Sequence, residues 1–524
     1  MVFMRYDALF VSVSGRGIME YIVTAKEMKI YDSYTIEEIG IPSLLLMERA
    51  ALQMADVLSE HIGKGTKVII FAGTGNNGGD ALAVGRILAE RGAWVTFYMP
   101  GNEEHASCET ARQISIIRNL GYSILSEFKE AEYDIVIDGL FGIGLSRNIT
   151  GEYEKAVQKI NDFKKKGAMV AAVDIPSGIH ADSGAVMGCC VEADITVTFE
   201  YGKAGHYFYP GRIKRGGLFV RDIGITDRGF EKKLPSYFSF QADEIKTFLP
   251  MRDPAGNKGT FGKVLLVAGS VNMAGAAILC GRSILRCGAG MVRIVTPKEN
   301  RMILQEIFPE AMLYTYEKEI DVEKIEELTA WSDVIVAGPG LSKGREAKEL
   351  MAQILKQGKL PMVIDADGLN LIAENEDLKK AVKAYERGKI VMTPHPGEFV
   401  RLSGISMVQY KSDRRSELVK LAEEFGCMIV GKDAVTLAVS PDSDRVYMNL
   451  TGNDGMATAG SGDVLAGVIG GLWAQKPSFE TACLGILLHS AAGDRAAIKK
   501  SRYGITASDI IDEICQILAE EHNL

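Results

Sequence analysis

The sequence predicts an α/β protein built as two domains in tandem. Three observations predict it. Continuous apolar runs of strand length recur with helical segments between them, the pattern of parallel strands covered on both faces. Glycine-rich turns stand directly after several runs, where an open α/β sheet places its ligands. The pattern halts at a polar stretch near 226–240 and then resumes, and 524 residues can build more than one core.

Residues 1–18 read as an N-terminal extension. Their apolar stretch is broken by Asp7 and lacks the basic cluster of a secretory signal, and a regular pattern opens at Met19. Helices are expected over Thr24 to Asp32 and over Ser43 to His61, the second with Leu45, Leu52, Ala55 and Leu58 at helical spacing. Strands are expected at 67–72, 94–99, 133–138, 169–174 and 195–199, and a helix over Ala81 to Arg91. This series describes a Rossmann-like, three-layer αβα domain over 19–230. After Arg228-Gly-Phe-Glu-Lys-Lys-Leu-Pro a second α/β domain covers 240–524. Its strands are expected at 262–269, 291–296, 334–337, 362–365, 390–393, 428–430 and 435–439, with helices after Asp463.

A net charge of −9 and a pI near 5.5 argue against nucleic acid or an anionic membrane as a partner. No apolar run approaches the roughly 18 residues of a membrane span. The eight cysteines form no CxxC pair and no Cys/His cluster, which reads as reduced thiols in a cytoplasmic protein.

In the first domain, Gly73-Thr-Gly-Asn76-Asn77-Gly78-Gly79-Asp80 follows an apolar run and precedes a helix. Glycines let backbone approach a phosphate, and a helix N-terminus offers free N–H groups. The plainer alternative is a tight turn with Asp80 as helix cap. Two further acidic turns, Asp138-Gly-Leu-Phe-Gly142 and Asp174-Ile-Pro-Ser177-Gly, end strands. Singly each suits a structural turn; together with Asn77 they gather hard oxygen ligands suited to a group 1 or 2 cation.

These three motifs, with Thr24-Ala-Lys-Glu-Met-Lys-Ile-Tyr-Asp32 and Leu46-Met-Glu-Arg-Ala, resemble the NAD(P)H-hydrate epimerase domain. Ala81 departs from the family's usual glycine. The resemblance implies a potassium ion at Asn77, Asp138 and Ser177. It implies substrate contacts at Asn76, Asn77, Gly78, Gly79, Asp80, Gly142, Ile143, Gly144, Leu145, Ser146, Arg147, Asn148, Tyr153 and Asp174. In the hydrate of NADH or NADPH, C6 carries a hydroxyl beside the ring nitrogen. Its loss and re-addition interchange the R and S forms, and a positioned carboxylate suffices as acid/base; Asp174 is the candidate.

In the second domain, Asn453-Asp-Gly-Met-Ala-Thr-Ala-Gly460-Ser-Gly462-Asp463 is a glycine-rich turn entering a helix. Its N–H groups suit a transferring phosphate, and Asp463 can take a proton from a substrate hydroxyl. The turn resembles the ribokinase-like fold. Gly269-Ser-Val-Asn-Met-Ala-Gly275-Ala276, Gly338-Pro-Gly340, Asp365-Ala-Asp367-Gly-Leu-Asn370, Thr393-Pro-His395-Pro-Gly-Glu398 and Lys432-Asp-Ala-Val-Thr436 narrow the likeness to the ADP-dependent NAD(P)H-hydrate dehydratases. That resemblance implies nucleotide contacts at Lys432, Asp433, Ala434, Val435, Thr436 and Gly462, and hydrate contacts at Ala276, Gly340, His395 and Asp463. His395 is equally readable as a loop histidine hydrogen-bonded between two prolines, and Asp365 and Asp367 as loop caps, Asp365 ending a strand. Ala459 replaces a family glycine, which would tighten one position of the anion loop.

The implied chemistry is phosphorylation of the S hydrate by ADP, giving AMP, followed by loss of phosphate to restore NAD(P)H. Asp463 acts as base and magnesium neutralises the phosphates. The family also implies a homo-oligomer, a tetramer being one form. The alternative is a vitamin-precursor kinase carrying a non-catalytic nucleotide-binding N-terminal module.

Overall fold

The computed structural model describes residues 19–128 and 131–522, so the expected extension over 1–18 lies outside the described residues. The chain divides into two compact units, Tyr21–Tyr237 and Phe238 onward, the latter taking in Met19 and Glu20 as well. Among the described residues no helix is long and apolar enough to cross a membrane. All eight cysteines are free thiols.

The N-terminal unit is built on a seven-stranded sheet in the spatial order Ile124–Leu125, Trp94–Tyr98, Lys67–Ala72, Ile135–Gly139, Met169–Val173, Ile195–Phe199, Gly217–Arg221. Every pairing in it is parallel. The central strands are buried along their length, as the unbroken apolar runs require. Strand order reverses beside Lys67–Ala72: the next strand in sequence, Trp94–Tyr98, lies on one flank, and Ile135–Gly139 on the other. The crevice of an α/β sheet opens at such a switch point, at the C-terminal strand ends. All three sequence motifs sit there.

Two helical expectations need correction. The glycine-rich turn is shorter than its sequence suggests, because the helix after it spans Asn76–Glu90, not Ala81 onward. Asn76 to Asp80 form its first turn, and the N-cap is Gly75, so Asp80 is no cap. The helix Ser43–Val57 ends before His61, in a separate 3-10 turn. It buries Leu46, Met47, Ala50, Ala51, Met54 and Ala55, while Leu45 and Leu52 are exposed. Spacing allows either stripe, and packing against Asn76–Glu90 selects this one: a Cβ at Gly79 would meet Met47 Cε at 2.7 Å.

In the C-terminal unit the order is Met312–Tyr316, Met291–Pro297, Lys263–Val267, Val334–Ala337, Met362–Ile364, Ile390–Met392, Met428–Gly431, Leu437–Ser440, Ser443–Met448. The pairings through Met428–Gly431 are parallel and the last two antiparallel. The strand expected at 435–439 begins two residues late, at Leu437. The buried helix Ser461–Trp473 packs across this sheet and against Ala274–Arg286. Both units are α/β, as the hydrophobic pattern requires.

Candidate functional sites

In the N-terminal unit the three motif turns enclose a cleft of about 910 Å³. Asn76, Asn77, Asp80, Gly142, Ile143, Gly144, Leu145, Ser146, Arg147 and Asp174 line it. Gly78 and Gly79 are buried beneath the wall instead. Gly78 passes so close to the turn that a Cβ would meet Gly73 O at 1.8 Å. Tyr153 packs on Phe141, with ring centroids 4.7 Å apart, and its hydroxyl reaches toward Gly101 beside Thr74. Asn148 is exposed outside the cleft lining. Ala81, the departure from the family pattern, is fully buried with its methyl over Gly139, where a Cβ would collide at 2.2 Å.

The entry to Asn76–Glu90 has no side-chain cap. The first-turn amides of Asn76 and Asn77 therefore have no helical acceptor and favour an anion. Ser107 N and Thr110 Oγ1 hold the turn by bonds of 2.9 Å to Thr74 O and Gly75 O.

Asp138 is fully buried and accepts from Ser177 Oγ at 2.6 Å, Ser177 N at 2.8 Å and Leu140 N at 3.3 Å. Burial outweighs these bonds and pushes its carboxyl up to about 6. No cation is paired with it among the described residues. Asn77 lies on the neighbouring turn, where a Cβ at Gly142 would meet its Oδ1 at 3.1 Å, and its Nδ2 is buried without a partner. Turning that amide would present an oxygen instead. One carboxylate with neutral oxygens around it fits a monovalent cation.

Asp174 stands in a left-handed conformation, φ +64°. Its Oδ1 receives Lys203 Nζ at 2.7 Å and Thr198 Oγ1 at 2.8 Å. Its carbonyl oxygen lies 2.9 Å from Nε2 of the buried His206. His206 Nδ1 accepts from Lys203 N at 3.1 Å, so the ring is neutral with its proton on Nε2, and burial holds its pKa down to about 3. Burial pushes Asp174 upward, but Lys203 and the other donors outweigh it and keep the carboxyl below the usual range. Asp80 behaves oppositely: burial, then the charges of Asp174 and Asp32, drive it well up. Lys203, Thr198 and His206 are not among the residues that the sequence motifs point to, and Asp32 enters there only as the end of a family motif with no role. Gly202-Lys-Ala-Gly-His206 carries no periodicity; Lys203 lies on a short strand, Gly202–Lys203, that pairs in parallel with Ile22 and Val23 and follows Ile195–Phe199, the sheet neighbour of Met169–Val173.

In the C-terminal unit the motif turns again follow the C-terminal strand ends. Gly460 (φ +87°) turns the loop into Ser461–Trp473, leaving the Gly462 and Asp463 amides in its first turn. Asn453 anchors the loop, donating to Asp494 Oδ1 at 2.8 Å and Gly493 O at 3.0 Å. Lys432 Nζ binds Asp365 Oδ1 at 2.6 Å. A Cβ at Gly462 would lie 3.4 Å from that Nζ and 3.6 Å from Asp365 Oδ2. Asp365 thus sits under the loop, more than the strand-end cap the sequence allowed. Asp367 is the first residue of the helix Asp367–Glu374 and not its cap; it ties a separate loop instead, accepting from Ser342 N at 2.8 Å. Burial and then Asp365 raise Asp463 to about 6.

Ala276 and Gly340 adjoin, since a Cβ at Gly340 would meet the Ala276 methyl at 2.7 Å. His395 caps Pro396–Ser403 through Nδ1, accepting from Gly397 N at 3.0 Å, while Glu398 returns a bond to His395 N at 2.8 Å. The His395 side chain is half exposed, with Nε2 3.4 Å from Glu398 Oε1. Burial raises Glu398 to about 7. Of the run Lys432 to Thr436, Val435 turns into the core, Asp433 bonds Ala434 N at 2.8 Å, and Lys432 faces the glycine loop. Ala459 is exposed.

Comparison with known proteins agrees in both units. The family described as NAD(P)H-hydrate dehydratase matches residues 264–516, and that described as YjeF-related protein N-terminus matches 43–205. The bifunctional NAD(P)H-hydrate repair enzyme of Moorella thermoacetica is 35% identical over 520 residues, covering 95% of this chain and 96% of that protein. The enzyme of the same name from Escherichia coli is 33% identical, covering 92% and 91%. A solved ADP/ATP-dependent NAD(P)H-hydrate dehydratase from Bacillus subtilis, co-crystallised with ATP and Mg2+, is 26% identical with a TM-score of 0.46, over 54% of this chain and 98% of that one. With relatives of this identity spanning nearly its whole length, the chain belongs to the family of bifunctional NAD(P)H-hydrate repair enzymes.

Proposed function

We propose that the N-terminal unit, taken as residues 19–230, interchanges the R and S forms of NADH and NADPH hydrate, and that the C-terminal unit, residues 240–524, returns the S form to NAD(P)H with ADP as phosphoryl donor. The observation that carries the first half is a pair of carboxylates, Asp80 and Asp174, lining one cleft, with burial and like charge driving Asp80 up and Lys203 holding Asp174 down. Asp80, kept neutral by burial and like charge, gives its proton to the C6 hydroxyl, which leaves as water while the ring nitrogen supplies electrons. Water adds to the other face of the iminium and loses a proton to ionised Asp174. Arg147 and Lys29, also on the cleft wall, supply positive charge for the dinucleotide phosphates.

Asn77, Asp138 and Ser177 would hold a potassium ion behind this wall. Bound there it would neutralise buried Asp138 and fix the turns that carry Asn76 and Gly142.

In the C-terminal unit Asp463 takes the proton of the S-hydrate hydroxyl as that oxygen attacks the terminal phosphorus of ADP. AMP leaves. The ring nitrogen then expels phosphate from C6, and loss of a C5 proton restores the dihydropyridine. The amides of Gly462 and Asp463, with Lys432, receive the phosphates. Among the described residues no three His, Cys, Asp or Glu side chains form a metal cage. Magnesium binds through phosphates and few carboxylates, and would neutralise the phosphate charge here. Phosphoryl transfer needs the hydroxyl in line with the phosphate, so one epimer is used and the fused epimerase feeds it the other.

One assay tests the whole scheme. Purified chain is given mixed R and S hydrate, with ADP and ATP compared, and the regained dihydronicotinamide absorbance is followed. Complete conversion with AMP and phosphate as products is expected. A stable phosphorylated product would instead support a small-molecule kinase, and persistence of the R form would remove the epimerase assignment.

A further inference from the structure

Lys203 lines the cleft, yet its ammonium has nothing left to give a substrate. Its three N–H donors go to Asp174 Oδ1 at 2.7 Å, Thr198 Oγ1 at 2.8 Å and Phe199 O at 3.0 Å. The side chain is 2% exposed. Thr198 passes its own hydrogen to the same Oδ1, so that oxygen is bonded twice. Asp174 Oδ2 accepts no hydrogen bond among the described residues. A non-glycine residue at φ +64° is strained and needs its surroundings to hold it. The neutral His206, fixed by Lys203 N on one ring nitrogen, grips the Asp174 carbonyl with the other.

We propose that Lys203 is the positioning residue of the epimerisation site: with Thr198 and His206 it fixes Oδ1 and the backbone of Asp174, so that Oδ2 is the oxygen that exchanges the proton with the hydrate. The assignment rests on the reading of Asp174 as the proton acceptor. Lys203 makes no bond to substrate and transfers no proton; it acts through Asp174 alone. A buried ammonium this close also favours the ionised form of that carboxylate beside Asp80, Asp32 and Glu109, the other acidic groups lining the cleft.

The test uses the full chain and separated R hydrate, following formation of the S form across pH. Lys203→Met should lower kcat for epimerisation on the order of 10²-fold, with KM changed by less than about threefold. The acid limb of its pH profile should move up by about one unit or more, because the opposite charge beside Asp174 is gone. Dehydration of S hydrate by the same molecule should be unchanged, which reports an intact preparation. Should Lys203→Met fail to fold, Thr198→Val, nearly isosteric, decides. It should lose roughly tenfold in kcat and move the acid limb the same way. An unmoved limb with kcat near wild type, in a chain where Asp174→Asn abolishes epimerisation, would overturn the role of Lys203. Retained epimerisation in Asp174→Asn would instead overturn the reading beneath it.

Discussion

Lys432 Nζ lies 2.6 Å from Asp365 Oδ1 at the foot of the Gly460–Asp463 loop, and the Asp365 side chain is 1% exposed. Removing the cation leaves a buried carboxylate without compensation. Lys432→Met should therefore destabilise the C-terminal unit by about 3 kcal/mol in urea unfolding, and raise the KM for ADP. The double variant Lys432→Met/Asp365→Asn should regain most of the stability but not the nucleotide affinity. Regain of both would place Lys432 outside the nucleotide site.

Asp463 and Asp174 divide the work. Asp463→Asn should lower dehydration by about 10³-fold or more and leave epimerisation intact, while Asp174→Asn does the reverse. Equal loss of both activities in either variant, measured by product chromatography on mixed hydrates, contradicts the division.

Burial and Asp365 raise Asp463 to about 6, which gives a signed pH dependence. The base works ionised, so kcat/KM for dehydration should fall as pH falls through about 6. Stability runs the other way. The folded chain binds this proton more tightly than the unfolded chain, so the contribution of Asp463 is present at low pH and is lost as pH rises from the ordinary carboxylate range through about 6. Asp463→Asn should abolish that slope in denaturation measured across pH.

Potassium chloride, set against tetramethylammonium chloride at equal ionic strength, should raise the unfolding midpoint of the N-terminal unit. The gain is about 2.7 kcal/mol at a hundredfold excess over Kd. Asp138→Asn should remove the gain, because the site keeps only neutral oxygens.

Gly78→Ala puts a methyl 1.8 Å from the Gly73 carbonyl oxygen, backbone that cannot swing aside. A loss of about 3 kcal/mol in the N-terminal unit is expected, with epimerisation lost and dehydration retained. Calorimetry with two separately tracked transitions checks it.

The chain's own order determined much of this. Apolar runs of strand length made both units α/β, because parallel strands buried on two faces leave no polar alternation to misread. Turns rich in Gly, Asn and Asp after those runs pointed to the clefts, because backbone that approaches an anion closely must shed its side chains locally. Asn77, Asp138, Asp174 and Asp463 stand in such turns, whereas Lys432 was named only by the family resemblance. Pairing across the fold was not legible. Lys203 stands 29 residues from Asp174, and Lys432 stands 67 from Asp365, in segments with no periodic signal. Only sheet order brings them within hydrogen-bond reach. The tertiary structure also decided that Asp80 belongs to a helix's first turn, since a helix start depends on which backbone amides find acceptors. And it decided that burial and like charge drive Asp80 up while Lys203 holds Asp174 down, since a carboxyl's proton affinity depends on burial and on neighbours that the linear sequence does not place.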